Sequence, residues 1–293
     1  MGGSVTTRFA IALTVLGGCD VVWGLERGVD ARVDPADRPP DVSLVCLAPS
    51  GHDEDHDGVD DACDNCPHVA QTTFSDDDTD GVGDACDPNP DRKDTQIAFL
   101  PMTSIPAGFP RVDPGTGTWE VVGDSVRLSG ANVDGDYLGF VGANTRDVIV
   151  DTALTITAAP AVAAGHSQSV GVWASIGGGS DPTFPTGFVY ELISVPTMHF
   201  SHITELDDTM AVGTIASGPL PEIFAIGTRY RVRLACQGLT SPTCVGSTRL
   251  SPSGTTSTLA LPSGTTRVGS VGLRVHGDVT AVFEYLVVYA GPE

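Results

Sequence analysis

Arg229-Tyr230-Arg231-Val232-Arg233-Leu234 alternates three arginines with three large apolar residues. Successive side chains of a strand point to opposite faces, so Tyr230, Val232 and Leu234 share one face and the arginines share the other. The same period of two returns in Val271, Leu273 and Val275, and in Phe283, Tyr285, Val287 and Tyr289. Between these runs stand Gly, Pro, Asn and Asp, in a chain that holds 35 glycines and 21 prolines. No stretch sustains the 3.6-residue period of an amphipathic helix. About a dozen short strands are expected from Trp119 onward, after a loop-like stretch marked by Pro101, Pro106, Pro110 and Pro114. Such a set buries a core as one antiparallel two-sheet sandwich. The expected fold class is all-β, with residues 95–293 as a single sandwich that folds without help from the rest of the chain.

Outside that region the composition changes sharply. The chain has 293 residues and a net charge of −22. Most of that charge lies in residues 20–94, where 21 acids meet 5 bases, against 16 acids and 9 bases in residues 95–293. A surface this acidic repels the phosphate backbone, which excludes nucleic acid as a partner and favours divalent cations.

The acids are ordered. Asp53-x-Asp55-x-Asp57-Gly58-x-x-Asp61-x-Cys63-Asp64 is followed by Asp76-x-Asp78-x-Asp80-Gly81-x-x-Asp84-x-Cys86-Asp87. Aspartates at positions 1, 3 and 5 offer a hard cation carboxylate oxygens from one side. Glycine at position 6 permits a sharp turn, Val59 or Val82 at position 7 offers a backbone carbonyl, and Asp61/Asp84 with Asp64/Asp87 close the cage. The expected cofactor is calcium, one ion per loop. An unstructured acidic linker is the competing reading. Few apolar residues accompany the loops (Val59, Val69, Phe74 and Val82), so metal bonds and cross-links are expected to stand in for a core.

Three families use such loops. EF-hands need a helix on both sides and dockerins need one after each loop, and Pro49, Pro67, Pro88 and Pro90 oppose these helices. The segment resembles the thrombospondin type 3 repeat, whose units end as Asp64-Asn65-Cys66-Pro67 and Gly83-Asp84-Ala85-Cys86-Asp87 end here. The spacer between the loops departs from that family in carrying Gln71 and Phe74. The resemblance implies the pairings Cys46–Cys63 and Cys66–Cys86. The downstream strands resemble the concanavalin A-like jelly-roll class of lectins, laminin G modules and glucanases, through Gly117–Val121, Gly227–Leu234 and Phe283–Tyr289. Eukaryotic thrombospondins place a sandwich of this class directly after their type 3 repeats.

The N-terminus reads as an export signal over residues 1–18, with Arg8 followed by the short apolar run Phe9–Leu16. Leu16-Gly17-Gly18-Cys19 resembles a bacterial lipobox, which implies acylation of Cys19 and a membrane anchor. Residues 19–45 then form a disordered tether, and residues 46–94 the calcium repeats. Setting Cys19 aside leaves six cysteines. Cys236 and Cys244, eight apart, are expected to clip a hairpin. Zinc at Cys63-x-x-Cys66 competes with disulfides there, and export favours the disulfides.

A catalytic site is not expected. The glucanases of this class carry Glu-x-Asp-x-x-Glu on one strand, and Glu205-Leu206-Asp207-Asp208-Thr209-Met210 lacks its second glutamate. His199 and His202, three apart on a strand, face opposite ways and cannot share a metal. Trp173 is either a sugar-stacking platform or a core residue, and the stripe Arg229, Arg231 and Arg233 either an anion-binding face or a solvated one. Glu284 reads as a surface carboxylate or a further calcium ligand. The expected protein is a calcium-binding lipoprotein of the bacterial cell envelope, at the outer-membrane surface, whose sandwich binds an extracellular glycan or protein. A purely structural spacer and a glycan-degrading enzyme are the alternatives.

Overall fold

The computed structural model describes residues 48–291, apart from 106–110, 113–116, 130–135, 146, 177–186, 207–211, 220–223, 238–242, 251–255 and 263–267. Within these the secondary structure is all strand, and no helix among the described residues is long and apolar enough to cross a membrane. The export signal, Cys19, the tether and Cys46 lie outside the described residues.

Strands are numbered in chain order. One sheet contains β1 (Thr95–Leu100), β3 (Thr118–Val121), β4 (Val126–Ser129), β6 (Val148–Ala158), β11 (Arg229–Gln237), β12 (Thr243–Leu250), β13 (Thr256–Pro262) and β15 (Thr280–Ala290). The other contains β2 (Arg111–Val112), β5 (Asp136–Thr145), β7 (Gln168–Ile176), β8 (Gly187–Val195), β9 (Met198–Leu206), β10 (Val212–Pro219) and β14 (Val268–His276). The first runs β13-β12-β11-β6-β15-β4-β3 with β1 also paired to β15, and the second runs β10-β9-β8-β7-β14-β5-β2. Every pairing is antiparallel, and the expected two-sheet sandwich is the fold observed.

Alternation builds the interior. Tyr230, Val232 and Leu234 of β11 meet Val170 and Val172 of β7 and Val271, Leu273 and Val275 of β14 between the sheets. Cys236 and Cys244 are register partners on β11 and β12 and are bonded to each other, as expected. Gly246 of β12 leaves room for the Tyr190 ring, which reaches across to Thr248 with a 2.6 Å hydroxyl contact.

The last strand departs from simple alternation. Phe283 faces the inter-sheet core, whereas Tyr285, Val287 and Tyr289 face the other way. The β15–β6 register shifts between Phe283 and Tyr285, which leaves Glu284 as the extra residue of a bulge. One inserted residue reverses the parity of everything after it. Leu286 and Val288 consequently take over the inward positions.

The outer face of the first sheet therefore carries a second apolar layer. Ile149, Ala153, Tyr285, Val287 and Tyr289 are buried there against Cys66, Val82 and Cys86 of the acidic segment. That segment has too few apolar residues for a core of its own, and it completes one with the sandwich. Residues 46–293 form one compact unit. The arginine stripe, which alternation alone reads as an open or solvated face, lies under this acidic strap.

Candidate metal centres

Each acidic loop folds back on itself through carboxylates that accept backbone N–H groups. In the first, the Gly58 N–H donates to Asp53 Oδ2 at 3.0 Å, that of Asp57 to Asp55 Oδ1 at 3.1 Å, and that of Val59 to Asp57 Oδ1 at 2.9 Å. In the second, Gly81 donates to Asp76 Oδ2 at 3.0 Å and Val82 to Asp80 Oδ1 at 2.7 Å. Gly58 and Gly81 have φ of 95° and 94°, a conformation that a side chain resists. The sequence pattern and the backbone thus agree at position 6.

The carboxylates at positions 1, 3 and 5 converge. One oxygen from each of Asp53, Asp55 and Asp57 lies within 4.8 Å of the others, and the same holds for Asp76, Asp78 and Asp80. Asp64 adds its field to that of the first loop and Asp87 to that of the second. Asp61 and Asp84, at position 9, also tie each loop to itself. Each accepts the N–H of the position-2 residue, Glu54 at 2.8 Å and Asp77 at 2.9 Å, and Asp61 also meets His52 Nδ1 at 2.6 Å.

The electrostatic state of the loops is costly without a counter-ion. Burial, with Asp57, Asp64 and Asp53 nearby, pushes the Asp55 carboxyl up to about 6. Burial also raises Asp64, Asp78 and Asp87, with neighbouring aspartates adding to it. Several oxygens are shielded from solvent yet accept no hydrogen bond: Asp55 Oδ2, Asp64 Oδ2 and both oxygens of Asp78. A buried acceptor with no donor is expensive, and a cation is the partner that an all-oxygen donor set suits. The residues present fit calcium.

Two contributors were not expected. The N–H of Gln71 donates to Asp57 Oδ2 at 3.1 Å, and that of Asp94 donates to Asp80 Oδ2 at 2.5 Å. Gln71 and Asp94 are related by the same offset as Asp57 and Asp80, so extending the repeat alignment past the cysteines would have found them. Gln71 Oε1 is buried without a partner, and burial beside Asp87 and Asp80 pushes the Asp94 carboxyl up to about 6. Of the cysteines, Cys66 and Cys86 are bonded as expected, and Cys63 is disulfide-bonded too. No described zinc site includes Cys63 and Cys66.

The strap is held by charge as well as by apolar contact. Asp151 of β6 is fully buried on the outer face, where Arg231 Nε lies 2.9 Å from Oδ1 and Arg233 Nε 2.7 Å from Oδ2. Arg231 Nη2 meets His68 Nε2 of the strap at 2.9 Å. Burial alone would raise Asp151, but Arg233 and Arg231 outweigh it and hold the carboxyl well below its usual range. Burial pushes His68 down to about 3, so its ring is neutral and accepts from Arg231.

The second sheet's outer face carries a polar row. Glu191 of β8 pairs with Arg274 of β14 across β7, accepts the Ser169 hydroxyl at 2.6 Å, and lies 3.5 Å from His202 Nε2. Gly171, in register between Glu191 and Arg274, makes this reach feasible, because a Cβ there would strike the β8 backbone. His202 also meets Thr204 at 2.7 Å, while His199 stacks on Phe224, so the two histidines do not share a site. Trp173 is only 3% exposed and offers no open stacking surface. Glu284 pairs with Arg229 at 2.7 Å, and Asp207 to Met210 lie outside the described residues.

No protein-family profile and no curated protein sequence matches the chain. Among solved structures it is similar to lectin II from Ulex europaeus, at 9% identity and a TM-score of 0.46 over 67% of this chain and all of that one. It is also similar to the VIP36 exoplasmic/lumenal domain bound to Ca2+ and Man3GlcNAc, at 8% identity and TM-score 0.44 over 61% and 84% of the two chains. An endo-β-1,4-glucuronan lyase from the fungus Trichoderma reesei gives 11% identity and TM-score 0.41 over 67% and 96%. These similarities are in chain course alone.

Proposed function

We propose that this protein is a calcium-binding lipoprotein of the bacterial cell envelope, in which two ions fasten an acidic strap across a non-enzymatic recognition sandwich. The observation that carries the calcium reading is the set of solvent-shielded, donorless carboxylate oxygens in two loops of one design. Asp53, Asp55, Asp57 and Asp64 would hold one ion, and Asp76, Asp78, Asp80 and Asp87 the other. The sandwich reads as a binder of an extracellular glycan or protein. On the second sheet's outer face Arg274 and His202 are the partly exposed polar groups that a ligand could meet, while Ser169, Glu191 and Thr204 are buried behind them. Cys19 would carry the lipid that holds the molecule at the membrane.

Calorimetric titration of the exported chain with calcium tests the reading. At least two ions should bind, with Kd of about 10⁻⁴ to 10⁻³ M, the range of extracellular modules. Asp57→Ala and Asp80→Ala should each remove one ion. Fewer than two ions, or full occupancy in Asp57→Ala, would mark the strap as an acidic linker.

A further inference from the structure

Where the second loop ends, the strap and the sandwich border a half-open cavity of about 190 Å³. Arg231, Arg233, Ser247 and Arg249 line it from β11 and β12, and Asp87 lines it from the strap. Arg231 and Arg249 are direct cross-strand partners, as are Arg233 and Ser247, so all four share one patch of the outer face. Like charges directly opposite on adjacent strands repel, and such a pair persists where an anion offsets it. Asp151 offsets Arg231 of that opposed pair and also takes Nε of Arg233 on the same strand. One buried carboxylate thus serves two guanidinium groups. Arg249 is exposed and has no ion-pair partner among the described residues. Asp151 also lines the cavity, so three arginines face two aspartates there and leave a surplus of one positive charge in a chain whose net charge is −22.

The remaining anion at the rim is Asp87, the position-12 carboxylate of the second loop. Its charge opposes any anion entering the cavity until a cation in that loop offsets it. We propose that this cavity is an oxyanion subsite, taking one sulfate, phosphate or carboxylate group between Arg249, Arg233 and Ser247, and that calcium in the second loop switches it on. The inference rests on the calcium reading above. Guanidinium forks suit such tetrahedral or planar oxyanions through paired, charge-assisted hydrogen bonds. The ligand is either a free anion or the acidic substituent of a glycan, and both present the same group to the cavity.

The test uses the exported chain in saturating calcium at constant ionic strength, titrated calorimetrically with inorganic sulfate, N-acetylglucosamine 6-sulfate and unsulfated N-acetylglucosamine. Both sulfated probes should bind and the unsulfated sugar should bind more weakly. Tighter binding of the sulfated sugar than of inorganic sulfate assigns the site to a glycan, and equal binding assigns it to the free anion. Arg249→Glu should weaken sulfate binding by about tenfold or more, because it removes one charge-assisted fork and adds repulsion. Arg249→Lys should recover part of that loss. Arg249 is exposed, so these variants should keep the wild-type melting temperature, which is measured alongside. Chelation should weaken sulfate binding as well. Equal sulfate affinity in Arg249→Glu and wild type would overturn the subsite, and affinity unchanged in chelator would overturn the switch. Two calcium ions bound with no sulfate uptake would overturn the subsite and leave the calcium reading standing.

Discussion

Asp151 is the residue on which the strap's electrostatics turn. It is a carboxylate with no exposed surface, held between Arg231 and Arg233 and reached by the Tyr285 hydroxyl at 3.3 Å. Its neighbours in Val148-Ile149-Val150-Asp151-Thr152-Ala153-Leu154 read as a plain buried strand, and nothing local marks the aspartate as a counter-ion. Its partners lie 80 and 82 residues away in the chain. Removing one member of a buried pair leaves the other charges desolvated and unpaired, at a cost of about 3–5 kcal/mol. Asp151→Ala should lower the unfolding free energy by that order in calcium-saturated protein, as measured by urea denaturation. An effect below about 1 kcal/mol, the level of a surface pair, would show that the arginines find other partners.

At the scale of elements, the two loops are near copies with different surroundings. Val59 and Val82 occupy the same loop position, and either backbone carbonyl can serve a cation. Their side chains differ: Val82 is buried in the layer formed with β6 and β15, whereas Val59 is only half-buried and outside that layer. Placing a charge at Val82 strands it in an apolar layer, at a cost on the order of 2–4 kcal/mol. Val82→Lys should therefore destabilise the calcium-loaded protein by that amount, and Val59→Lys should change little, both read from denaturant midpoints. Equal effects would mean that the strap does not dock through its second loop. The Glu284 bulge creates this layer, because without it Tyr285, Val287 and Tyr289 would face the inter-sheet core alongside Phe283. Alternation in β15 was legible in the sequence, and the change of parity was not.

For the whole molecule, the proposed calcium sites would make the stability of the sandwich depend on metal. Residues 95–293 read as a domain able to fold alone, yet Ile149, Tyr285, Val287 and Tyr289 are buried beneath residues of the strap. Each calcium site that binds only the folded state contributes about 2.7 kcal/mol when free calcium is a hundred times Kd. In a domain of this size that corresponds to a melting shift of about 5–10 °C per site. Calorimetric melting of the exported chain should show such a drop on adding chelator, with tyrosine fluorescence reporting exposure of Tyr285 and Tyr289. A melting temperature unchanged by chelator would separate the sandwich from the loops and restore the simpler picture of independent parts.

What the sequence determined by itself is local. The carboxylates of each loop fall within twelve residues, the turn glycine stands between them, and strand alternation is written in consecutive side chains. The pairs Cys66–Cys86 and Cys236–Cys244 also close short loops, with separations of 20 and 8 residues. What only the tertiary structure decided is the outer face of each sheet. Period two tells which residues leave the core and is silent about what they meet. The Arg231–His68 contact spans 163 residues, and the Tyr285–Asp151 contact 134. The same arginine stripe would read identically under a strap or in open water, because desolvation and pairing are properties of the assembled surface and of no single stretch of chain.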